Sequence, residues 1–193
     1  MEPFTVLALV LGGYSLLKKK TSAPPMPRTE VTGLIIDAAR AANVPVIVAL
    51  AFADLESALN PRAQGDLGWP TRKGGALYQE KVLDEPRLSQ NPARGDRLAW
   101  HSYGLFQLLA AAHVLPLEHP NALLDPRINA ARGCAFIGTL LKRSNGDVVK
   151  ARLAYLGCGM DGARCSPEIV TQATTRLHAA IAKWTSATKA GLA

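Results

Sequence analysis

The stretch PVIVALAFADLESALNP, residues 45–61, decides how the rest of the chain is read. Pro45 fits the first turn of a helix, where its missing amide donor is not needed and its φ is preset. The residues after it are apolar or small, broken only by Asp54, Glu56 and Ser57, until Asn60-Pro61 stops the run. Glu56 falls in the last turn of this helix, and its neighbours on the helix face are Phe52, Ala53 and Leu59, all apolar. A carboxyl group with apolar walls is favoured in its protonated form, which is what a general acid requires. Taken alone, the position also fits an ordinary glutamate at a helix end, facing solvent.

The same helical grammar extends outward on both sides. TEVTGLIIDAARAAN, residues 29–43, has Thr29 as an N-cap and apolar residues at helical spacing. YGLFQLLAAAHV, residues 103–114, reads as helix again. DPRINAARGCAFIGTLLKR, residues 125–143, opens with Asp125 as N-cap and Pro126 at the first helical position. Asn145-Gly146 ends that helix, and Asp147 can cap the next, DVVKARLAYL. SPEIVTQATTRLHAAIAKW, residues 166–184, repeats the cap-then-proline signal at Ser166 and Pro167. No alternating pattern long enough for a useful strand appears. The expected fold class is therefore all-α, with about six helices. Residues 66–101, rich in Gly, Pro and charge, read as a long irregular insertion, a feature that in a compact domain is often functional.

Composition bounds the partners. The chain has 193 residues, 48% of them apolar and 19% charged, with a net charge of +7. That length supports one domain with a core and a short appendage. The basic balance points to an anionic partner. No basic block interleaved with aromatics appears and only 6% of residues are aromatic, so nucleic acid is not the expected partner. No zinc-type spacing such as CxxC or HExxH occurs, and neither a metal nor a cofactor is expected. Cys158 and Cys165 flank the loop CGMDGARC; they can pair in an oxidising compartment or stand as ordinary thiols beside a turn. His101, His113, His119 and His178 show no pairing with a Ser or Cys nucleophile.

The N-terminus has its own character. Residues 4–17 carry no charge, and Lys18, Lys19 and Lys20 follow at once. Glu2 before the apolar run and lysines after it argue against a cleaved signal. The expected reading of residues 1–20 is a retained membrane anchor, short for a full span, with the lysines on the cytoplasmic side. A buried or interfacial helix is the alternative. Residues 21–28, TSAPPMPR, read as an extended linker, which leaves 29–193 as the folded domain.

Three segments in order carry a resemblance: Glu56-Ser57 followed by Asn60-Pro61 and Ala63, then GLFQ at 104–107, then AYLGCG at 154–159. In this arrangement the chain, from about residue 44 to 159, resembles the soluble lytic transglycosylase domain of the lysozyme-like superfamily. The resemblance implies a lysozyme-like helical fold that cleaves peptidoglycan glycan strands, with Glu56 as catalytic acid and base and Ser57 beside it to cap or orient. It implies that Gly104, Leu105, Phe106 and Gln107 line the sugar groove, and that the hydroxyl of Tyr155 points near the glutamate. The sequence departs from the family in having Leu156 where asparagine is usual after the tyrosine, and in the length of its insertion. A second carboxylate would instead suit a hydrolytic lysozyme. Asp54 points to another helix face, and Asp66 opens the insertion. A wall-binding membrane protein that kept the fold without the activity is the further alternative. Size, the N-terminal segment and its charge order suggest a phage virion or conjugation enzyme that opens the wall locally.

Overall fold

The computed structural model describes residues 26–65, 101–115 and 118–191. The apolar segment 4–17, the three lysines, most of the Pro-rich stretch and all of the insertion except His101 lie outside the described residues. Among the described residues, no helix is long and apolar enough to cross a membrane.

Helix α1 spans Arg28–Ala41, and α2 spans Val46–Ser57. Two short strands, β1 (Gln64–Gly65) and β2 (Ser102–Tyr103), bracket the insertion, and β3 (Leu108–Leu109) follows. After them come the four-residue helix α3 (Ala110–His113) and a 3₁₀ turn at Pro120–Leu124. The chain closes with α4 (Pro126–Arg143), α5 (Val148–Tyr155) and α6 (Pro167–Lys189). The mostly helical architecture agrees with the expected class.

Helix α2 is the centre of the molecule. Val48, Ala49, Leu50, Ala51, Phe52 and Ala53 are consecutive and all buried, so the helix is enclosed rather than amphipathic. Helices α1 and α6 pack on it, α4 packs on α1, and α5 lies against α4 and α6. The chain leaves α2 through Ala58 and Leu59, both in the left-handed region at φ 53° and 64°.

Of the expected caps, Asp125 and Asp147 bond the backbone, whereas Ser166 before α6 makes no side-chain capping bond. Asp125 accepts from the amides of Arg127 and Ile128 at the start of α4. Asp147 accepts from the Lys150 amide at the start of α5. Asn145 and Gly146 take positive φ between them, which ends α4. At α1 the expectation is corrected: the helix begins at Arg28 with Pro27 as its cap residue, and Thr29 lies within the first turn.

The larger correction concerns residues 103–114. Instead of one helix, Ser102–Tyr103 pairs antiparallel with both Gln64–Gly65 and Leu108–Leu109, and only Ala110–His113 is helical. Residues 104–107 make the turn between β2 and β3. Gly104 (φ 72°) and Gln107 (φ 44°) occupy a region that no helix uses, so the apolar spacing of the segment reflects burial on a tight turn. The sheet also joins the two ends of the insertion, with Gln64 opposite Tyr103 and Gly65 opposite Ser102.

Candidate active site

Glu56 lies in the last turn of α2, its side chain 15% exposed. As the sequence suggested, Phe52, Ala53 and Leu59 around it are buried apolar residues. The walls are not wholly apolar, however. Arg152, on α5, donates from Nη1 to Glu56 Oε1 at 2.5 Å. Its side chain is only 8% exposed, and its guanidinium lies against two rings, 5.2 Å from the centroid of Phe52 and 5.6 Å from that of Tyr155. Those two rings meet edge to face at 5.3 Å. An arginine seated between aromatic faces loses less on desolvation than a free ammonium would.

Tyr155 closes the next side of the site. Its hydroxyl donates to the backbone carbonyl of Phe106 rather than to Glu56. Burial, and after it the charge of Glu56, pushes the phenol well above its usual range, so it stays a neutral donor. Ser57 bridges in the same direction: its Oγ lies 2.8 Å from the carbonyl of Leu105 and 3.1 Å from that of Ala53. Two side chains flanking the catalytic candidate thus tie α2 and α5 to successive carbonyls of the 104–107 turn.

The turn is held from below by Asn129 on α4, which is fully buried. Its Oδ1 accepts from the Phe106 amide at 2.9 Å, and its Nδ2 donates to the carbonyls of Tyr103 and Leu123, each at 2.8 Å. A Cβ on Gly104 would sit 2.4 Å from that Nδ2, so the turn and the asparagine require a glycine here. Gln107 folds its Nε2 back onto the Gly104 carbonyl at 3.0 Å.

The sequence-derived residues therefore converge: Glu56, Ser57, the turn Gly104 to Gln107 and Tyr155 occupy one neighbourhood although up to about a hundred residues separate them in the chain. Their roles divide differently from the expectation. Leu105 and Phe106 are completely buried, so their side chains belong to the core, and their carbonyls accept from Ser57 and Tyr155. Ser57, Gln107 and Tyr155 spend their polar groups on the local backbone. Arg152 and Asn129 were not singled out in the sequence. Nothing in an arginine within ARLAY signals a partner 96 residues away, whereas a lone asparagine on the inner face of α4 is the kind of buried polar residue that normally has a fixed hydrogen-bonding task.

Asp54 is turned away from Glu56. It accepts from Lys183 Nζ at 2.5 Å and from Trp184 Nε1 at 3.2 Å, and so anchors α6. Asp66 lies outside the described residues. Cys158 and Cys165 are joined in a disulfide that closes the loop after α5. Cys134 is free and buried, its thiol pushed up to about 12 by desolvation. Leu156, in the position after the tyrosine, is 40% exposed.

In comparison with protein families, residues 33–162, about two thirds of the chain, match the model described as transglycosylase SLT domain. No curated protein and no solved structure matches the chain. The matched span contains Glu56, Asn129, Arg152 and Tyr155 together with the whole 104–107 turn.

Proposed function

The chain belongs to the transglycosylase SLT domain family, and on that premise we propose that it is a peptidoglycan lytic transglycosylase. Its reaction is cleavage of the β-1,4 bond between N-acetylmuramic acid and N-acetylglucosamine, leaving a 1,6-anhydro end. The observation that carries this reading is the setting of Glu56: a carboxyl group fixed at the end of an enclosed helix, one oxygen held by a buried cation, with a margin of the side chain still open.

In this reading Glu56 acts twice. Its acid form donates a proton to the glycosidic oxygen as the C1–O bond breaks, and the leaving sugar departs with a free hydroxyl. The acetamido carbonyl of N-acetylmuramic acid shelters the positive charge that develops at C1. The ionised Glu56 then takes the proton of the same sugar's 6-hydroxyl as that oxygen bonds to C1, which closes the anhydro ring and restores the acid. The chemistry consumes no water. The orientation of Asp54 toward α6 supports a single carboxylate at work, since the nearest carboxyl in the sequence is committed elsewhere.

The test is mass analysis of fragments released by the 193-residue chain from purified peptidoglycan. Fragments lighter by one water and resistant to borohydride are expected, and Glu56→Gln is expected to release none while still sedimenting with the wall. Reducible ends would identify a hydrolytic lysozyme. A folded chain that binds the wall and releases nothing would be a binding module. Lysis by Glu56→Gln at the wild-type rate would overturn the assignment of the residue.

The wider setting we propose is local wall opening during phage entry or conjugation, with residues 1–20 as a membrane anchor. The disulfide supports a site of action in an oxidising compartment, at the wall or in the periplasm, because such bonds persist there and are rare in the cytosol. Export of the domain to the periplasm of an ordinary uninfected cell would count against the phage setting.

A further inference from the structure

Arg152 is an expensive residue to keep where it is. Its side chain is nearly closed off from water, it meets Glu56 through a single hydrogen bond, and its Nε is buried with no hydrogen-bond partner. An orphaned buried donor is destabilising, and apolar replacements of whole buried ion pairs are often as stable or more so. Replacing Glu56 and Arg152 together by apolar residues would meet the demands of folding at least as well as the pair does. Stability therefore does not explain the choice, and the geometry of the partner does.

Resting on the reading of Glu56 as acid and base, we propose that Arg152 is its positioning residue: by pinning Oε1, it leaves Oε2 as the one oxygen that exchanges protons with the sugar. Among the described residues Glu56 Oε1 accepts from Arg152 and Oε2 accepts from nothing. Both proton transfers in the reaction use the same carboxyl, first at the glycosidic oxygen and then at the 6-hydroxyl, so a carboxyl free to rotate would lose alignment between the steps. The two rings fix the guanidinium in turn, one on α2 beside Glu56 and one on α5 beside Arg152. The work is assigned to the planar fork wedged between rings, which a lysine ammonium cannot reproduce.

The experiment is a steady-state comparison of the full chain with its Arg152→Met and Arg152→Lys variants on soluble glycan strands, with thermal melts alongside. Misalignment of a reacting group by about 1 Å can cost on the order of a hundredfold in rate, so Arg152→Met is expected to lose about tenfold or more in kcat. Its KM stays within about twofold, since the arginine acts through Glu56 and not on the sugar. A purely structural role would lower the melting temperature and the folded fraction but leave kcat per folded molecule unchanged, so rates are compared per folded molecule, well below each melting temperature. If Arg152→Met shows no cooperative melt, Arg152→Lys decides. A loss in kcat of about fivefold or more at unchanged KM supports the role, and a smaller loss overturns it. A wild-type chain that makes no product would overturn the transglycosylase reading itself, whereas an active wild type matched by active variants would overturn the positioning role alone.

Discussion

Glu56 and Arg152 form a pair in which each side chain makes the other tolerable inside the protein. Their exposures are 15% and 8%, so removing one leaves the other's burial uncompensated. This gives a stability prediction opposite to the common one for catalytic carboxylates, whose removal often relieves strain. Glu56→Gln is expected to lose about 1–3 kcal/mol, because the amide still accepts a hydrogen bond but no longer balances the charge. The double variant Glu56→Gln/Arg152→Met should recover most of that loss, since it retires both charges together. Urea titrations of the four proteins supply the measurement. A Glu56→Gln variant as stable as the wild type would mean that the rings and the backbone around Arg152, and not Glu56, make its charge tolerable there. At this scale the sequence was half legible. It showed the apolar residues three and four positions from Glu56, which local spacing can show, while the acid–base role rests on the resemblance carried by the ES, GLFQ and AYLGCG segments. The cation facing it arrives from a helix 96 residues downstream, and no local pattern announces a tertiary charge pair.

The helices were legible because their ends are written in short-range chemistry: Asp125 before Pro126, Asn145-Gly146, and Asp147 directly after them. The 104–107 turn was not. Its apolar spacing matches a helix, and what overrides that spacing is Asn129, more than twenty residues on, which takes the Phe106 amide out of any helical ladder. Two neighbours lock the arrangement. Tyr155 binds the Phe106 carbonyl, and Gly133 on α4 gives the Phe106 ring its room, since a Cβ there would lie 2.4 Å from the ring. Asn129→Ala would remove three buried hydrogen bonds at once, the one to the Phe106 amide and those to the Tyr103 and Leu123 carbonyls. With about 1 kcal/mol for each bond and about 1–3 kcal/mol more for the stranded amide, a loss of about 3 kcal/mol or more is expected. Hydrogen exchange gives a sharper check than global melting: the Phe106 amide should lose protection while the centre of α2 keeps it. Equal loss in both would mean that the turn and the core unfold as one unit.

The whole molecule adds a property that no single side chain has. The chain carries a net charge of +7, and basic residues such as Arg127, Lys142, Arg143, Lys150, Arg164 and Arg176 stand exposed on α4, α5, α6 and the disulfide-closed loop. The proposed substrate is an insoluble polymer with free carboxylates on its peptides, so the field of the protein concentrates the enzyme at the wall before any sugar enters the site. Attraction of this kind is screened over a distance of about 10 Å at 0.1 M salt and about 3 Å at 1 M. Specific contacts between a sugar and a partly buried site change much less over that range. Binding of Glu56→Gln to purified peptidoglycan, measured by sedimentation so that lysis does not deplete the wall, should therefore weaken by about tenfold or more between 0.05 and 0.5 M sodium chloride. Turnover of a short, uncharged glycan fragment by the wild-type chain should change by less than about twofold over the same interval. If both fall together, the charge acts within the site and not across the surface. If neither falls, contacts with the glycan alone hold the protein to the wall, and the basic surface serves another partner.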